Sequence, residues 1–128
     1  MMLCDQVVFE QGSQKPYLLG IFTGLAVDGF PTPPQRFDIL AALTDGLGNV
    51  TIRLTVTHLE KDEEIYDQRL IVTFPDPLQL VNVRFRIRRL VFDRPGIHLF
   101  TLVADGFGGE EIAARRIRVY EPGAGELP

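Results

Sequence analysis

The sequence predicts an all-β fold, a single-domain Greek-key β-sandwich of about eight strands. Three observations predict it. Short apolar or alternating runs follow one another from Leu3 to Tyr120. Each is cut off by a cluster of Gly, Pro, Asn or Asp, the residues that tolerate or impose turn geometry. No segment holds an apolar stripe at 3.6-residue spacing, so no long helix is expected.

Cys4 to Glu10 forms the first run, closed by Gln11-Gly12-Ser13. Tyr17 to Val27 is almost wholly apolar and contains Gly20 and Gly24, so this strand is expected to be buried on both sides or bent at its glycines. A proline-rich loop, Asp28 to Pro34, follows. Phe37, Ile39, Ala41 and Leu43 then alternate with their neighbours, as do Val50, Ile52, Leu54, Val56 and His58 after the break Asp45 to Asn49. Matched period-2 patterns around a turn predict an antiparallel hairpin of Phe37–Leu43 with Val50–Val56. The acidic tip Glu60 to Glu64 leads into a strand from Ile65 to Phe74. Gln79 to Phe92 places Val81, Val83, Phe85 and Ile87 on one face and Asn82, Arg84, Arg86 and Arg88 on the other. The doubled Arg88-Arg89 breaks that phase and predicts a bulge or a strand end. Ile97 to Ala104 and Glu111 to Tyr120 flank the turn Asp105 to Gly109 as a second hairpin. Phe85, Ile87, Leu99 and Val103 are expected in the core. The sandwich is assigned to residues 1–121, with a flexible Pro/Gly tail at 122–128.

With 128 residues, 45% of them apolar and 23% charged, the chain has globular composition and can bury a core without staples. Its one cysteine cannot form an internal disulfide framework, which fits an intracellular setting. The Met1 to Asp5 opening lacks a basic start and a long apolar run, and no apolar stretch is long enough for a membrane helix. A soluble, cytoplasmic protein is expected, with no membrane partner. The net charge of −4 is uneven: residues 1–83 carry five basic and eleven acidic side chains, residues 84–128 eight and six. Overall acidity argues against nucleic acid, which needs a basic face.

The segment Asp93-Arg94-Pro95-Gly96-Ile97-His98 is similar to the corner by which many immunoglobulin-like domains enter their penultimate strand. There a tyrosine two residues after the glycine anchors the corner, and here His98 takes that place. The paired cysteines and buried tryptophan of antibody domains are absent. Cys4-Asp5, Gln11-Gly12, Lys15, Leu18 to Phe22 and Phe30-Pro31, together with this corner and the Asp105-Gly106 hairpin, resemble a family of small uncharacterised bacterial proteins. The resemblance implies an immunoglobulin-like β-sandwich and a bacterial origin, and it carries no activity.

No group of residues has the spacing of a chemical site. His58 and His98 lack a closely spaced third ligand, so neither metal nor cofactor is expected and both read as structural. Cys4 has no partner cysteine, and Asp5 beside it disfavours the thiolate. The loops Asp45 to Asn49 and Asp105 to Glu111 lack the alternating acids of a calcium loop and read as turns. The acidic tip gives its carboxylates one shared, wet environment, the opposite of a paired-carboxylate catalyst. No catalytic residue is assigned, and the protein is expected not to be an enzyme. Arginine, outnumbering lysine eleven to two, is the uncommon feature. Arg84, Arg86 and Arg88, with Arg116 and Arg118, mark an interaction face for a protein partner or a second copy of the chain. The bland account of the same residues is a solvated sheet face paired with acids such as Asp67, Glu110 and Glu111. The rival function is a small-molecule or carbohydrate-binding module, or a sandwich hydrolase using loop residues, and a deep pocket lined by Asp5, His98 or Asp105 would favour it.

Overall fold

The computed structural model describes residues 1–105 and 109–123. Within them the chain is all-β, with nine strands: β1 (Met2–Phe9), β2 (Pro16–Phe22), β3 (Gly24–Ala26), β4 (Gln35–Leu43), β5 (Gly48–His58), β6 (Glu63–Phe74), β7 (Val81–Leu90), β8 (Gly96–Ala104) and β9 (Glu110–Tyr120). One sheet has the order β2-β1-β4-β7, the other β3-β9-β8-β5-β6. Alternating apolar residues of both sheets meet in one core, where Ile39, Phe85 and Ile87 of the first face Leu54, Phe100 and Ile117 of the second, all 0–1% exposed. No helix among the described residues is long and apolar enough to cross a membrane. Most of the tail expected at 122–128, and the tip of the Asp105 to Gly109 turn, lie outside the described residues.

The expected pairing of Phe37–Leu43 with Val50–Val56 does not occur. β4 pairs with β1 and β7, whereas β5 pairs with β6 and β8, so the two runs stand in different sheets. Asp45, at φ 66°, turns the chain, but its N–H donates to Pro77 O at 2.9 Å instead of closing a hairpin. Period 2 requires only that one face of each strand meets the core. Two strands facing each other across that core satisfy it as well as two neighbours do.

The Tyr17–Val27 run is also divided. β2 pairs antiparallel with β1, and after Thr23 the chain crosses to the other sheet, where β3 runs parallel to β9. The bend begins at Gly20 (φ 68°), where an added Cβ would collide with the Asp5 carboxylate. Tyr17, Leu19 and Ile21 are each 53% exposed, so this strand is not buried on both sides.

β7 has the expected phase, with Phe85 and Ile87 inward. Its register against β4 passes from Phe37↔Ile87 to Gln35↔Leu90, which makes the expected bulge at Arg88-Arg89. In β8 the phase is reversed. His98, Phe100, Leu102 and Ala104 are buried, while Leu99 and Val103 are only half-buried on the other side. β8 is flanked by β9 and β5, and both of its phases are apolar enough to be covered, so hydrophobicity does not select one. The histidine decides it, because its Nδ1 bonds Gly96 O and its ring packs against Phe92 and His58.

Candidate functional site

β1 pairs with β4 only from Met2 to Cys4 and then separates from it, still paired to β2 as far as Phe9. The freed end of the hairpin is held by side chains of the first sheet's outer face. Val7 N–H donates to Asp38 Oδ2 at 2.8 Å, and Arg84 Nη1 donates to Val7 O at 3.4 Å while its guanidinium lies 5.4 Å from the Phe9 ring centre. Beneath it Cys4, Val7 and Leu40 form a second small core, with Phe9 and Leu18 at its border. Cys4 Sγ donates to Asp38 O at 3.8 Å, and burial, followed by the Asp38 charge, pushes its thiol pKa up. This cysteine fills space.

Where β1 departs, a groove of about 490 Å³ opens, lined by Asp5 and Gln6 of β1, Arg36 and Asp38 of β4, and Arg86 and Arg88 of β7. The register explains the grouping. Asp38 stands directly opposite Arg86, and Arg36 stands opposite the bulge that contains Arg88. Ion pairs among the described residues join Arg53 to Glu64 and Asp67, and Arg94 to Glu63. None involves Arg36, Arg86 or Arg88. Gln6, at the groove's edge, pairs with Leu19, which belongs to an exposed apolar strip with Val8 (41%), Tyr17 and Ile21. That strip borders the open edge formed by β2.

The five arginines read from the sequence are thus separated. Arg84, Arg86 and Arg88 lie on the outer face of the first sheet, since Phe85 and Ile87 point inward. Arg116 and Arg118 lie on the outer face of the second, opposite the inward Ile117 and Val119. Arg118 sits 5.0 Å from the Tyr120 ring centre, in a surface hollow with Phe30 and Pro95. Asp67, expected among the acidic partners of the arginine stripe, pairs with Arg53 on the second sheet instead. Arg36 was missed by the sequence reading. The signal for it was its place two residues before Asp38 on the same face of β4, but only the β4–β7 pairing brings it beside Arg88.

The two histidines stand opposite each other on β5 and β8, 2% and 1% exposed, with ring centres 4.9 Å apart and edge-on. Lys61 N–H donates to His58 Nδ1 at 3.2 Å, so Nε2 carries the proton and donates to Pro95 O at 3.0 Å. His98 Nδ1 donates to Gly96 O at 3.1 Å, and its ring packs 4.8 Å from Phe92. Gly96 has φ 133°, and a Cβ there would stand 3.1 Å from His58 Nε2, so the corner needs a glycine. His98 ties the corner to its own strand, and His58 ties it to the neighbouring hairpin. Among the described residues no three His, Cys, Asp or Glu side chains are grouped to hold a metal ion. Asp5 lines the groove, whereas His98 is buried in the core.

What the fold and this surface define is an all-β, two-sheet domain with an arginine-lined groove on one face. The chain belongs to a family of unknown function, DUF6941, whose model matches residues 1–120. No curated protein matches it.

Proposed function

We propose that this protein is a non-enzymatic binding module that holds another protein on the outer face of the β2-β1-β4-β7 sheet. One observation carries the reading: three arginines without ion-pair partners among the described residues adjoin an exposed apolar strip on an open sheet edge. Arginine and tyrosine are enriched where proteins bind one another, and exposed apolar surface rimmed by charge is the common form of such sites. The partner is a second protein or another copy of this chain, and nucleic acid is disfavoured by the net charge of −4. A small-molecule or carbohydrate site would need a more enclosed pocket with stacking aromatics, and the chain has no tryptophan. The finer fold reading is an immunoglobulin-like Greek key, supported by the chain's crossing between sheets at Thr23 and the His98 corner. A cytoplasmic setting accompanies it, supported by the single buried Cys4; the bacterial origin rests on the family resemblance alone.

The test is affinity capture and light scattering on the parent and on R36S/R86S/R88S. Arg84 is spared because it ties down the β1–β2 hairpin. The triple variant should keep its far-ultraviolet circular dichroism and melting temperature and lose association. Unchanged partners and unchanged mass would overturn the reading.

A further inference from the structure

The charges around the groove specify more than a generic basic patch. Arg36, Arg86 and Arg88 contribute three positive charges, and Asp5 and Asp38 two negative ones, which leaves a net charge of +1. Asp38 is 7% exposed and keeps its carboxylate anchored on Val7 N–H, so one of the negative charges is fixed in the wall. A dianion such as phosphate would meet a site short of charge and lined on one side by repelling oxygens. A single carboxylate balances it. The guanidinium fork matches a carboxylate with two parallel hydrogen bonds, and forks on adjacent strands that no acid among the described residues pairs offer more than one approach.

We propose that the groove is a receptor for one carboxylate side chain at a time, presented by an acidic segment of a partner protein. This rests on the binding-module reading and names its ligand chemistry. The exposed strip Val8, Tyr17, Leu19 and Ile21, joined to the groove through Gln6, then takes the apolar residues that flank the carboxylate in the partner. Arg36, Arg86 and Arg88 are specificity residues in this account, and Asp5 and Asp38 reject anions of higher charge.

The experiment titrates full-length protein with a fluorescein-labelled hexaglutamate peptide by anisotropy, and competes it with inorganic phosphate. Binding should weaken with added salt, and phosphate should compete poorly. R86Q and R88Q should each weaken peptide binding about fivefold, the value of a charge-assisted contact at a partly exposed site. R86K keeps the charge but loses the fork, and should still weaken binding. D5N removes a wall charge and should tighten the peptide and improve competition by phosphate. Phosphate binding as tightly as the peptide overturns the proposal, as does unchanged affinity in R86Q and R88Q, or weaker binding by D5N. If the peptide fails while R36S/R86S/R88S still loses its protein partner, the carboxylate pocket falls and the module reading stands. If the triple variant keeps its partner as well, both fall.

Discussion

Lowering the pH from about 8 to about 5 should destabilise this protein through His98, since a buried base resists protonation. Its ring is 1% exposed and wedged between Phe92 and His58. Burial is the largest cause holding its pKa below the ordinary 6.5; the hydrogen bond to Gly96 works the other way, and the neighbouring His58 adds a smaller downward push. The folded chain therefore binds fewer protons than the unfolded one. Stability from this group is full above about 6.5 and is lost as the pH falls from there through the depressed folded value. One proton taken up only on unfolding gives a slope of about 1.4 kcal/mol per pH unit within that window. Urea midpoints measured across the range supply the slope. H98Q does not titrate and can still offer an N–H to Gly96 O. It should start about 1–3 kcal/mol less stable through lost ring packing, and its midpoint should fall less steeply. A parent midpoint flat from pH 8 to about 5, or a variant with the parent's slope, would refute the reasoning.

Phe85 is 0% exposed and stands opposite Ile39, so Phe85→Ala should cost about 3–5 kcal/mol by urea unfolding, while its neighbour R86A should stay within about 0.5 kcal/mol. Equal losses would show the β7 faces to be misassigned. R84S should cost about 1–2 kcal/mol by removing the bond to Val7 O and the contact with Phe9, and should speed proteolysis at the β1–β2 loop. A thermally neutral, equally resistant variant would mean that Arg84 does not hold the hairpin. Cys4 should resist a disulfide-exchange reagent in the native protein near pH 8 and react fully in denaturant, because the thiol is buried and its pKa is raised. Rapid native labelling would contradict its place in the second core.

Strand positions were legible because period 2 and turn residues are local. β7 shows this most clearly: Phe85 and Ile87 inward, the arginines outward, and a bulge where Arg88-Arg89 doubles the phase. Pairing was less legible, because Asp45 to Asn49 marks a reversal without saying whether the chain returns to its own sheet or crosses to the other. β8 was read in the wrong phase because Leu99 and Val103 are as apolar as Phe100 and Leu102, and only the fit of His98 between Phe92, His58 and the Gly96 carbonyl distinguishes the two faces. The arginine stripe was visible, but its function was not. Arg84 proved to be a tie for the hairpin, Arg116 and Arg118 lie on the far sheet, and Arg36 joins Arg86 and Arg88 only through the β4–β7 register.

The account's central claim is that the groove between β1, β4 and β7 receives an acidic partner. Amide chemical-shift mapping of the isotope-labelled protein, titrated with unlabelled hexaglutamate, tests it most directly. The account predicts saturable shifts concentrated at Gln6, Arg36, Asp38, Arg86 and Arg88, with Arg116 and Arg118 unmoved. Shifts centred on Arg116 and Arg118, or spread evenly over every exposed arginine, would contradict it.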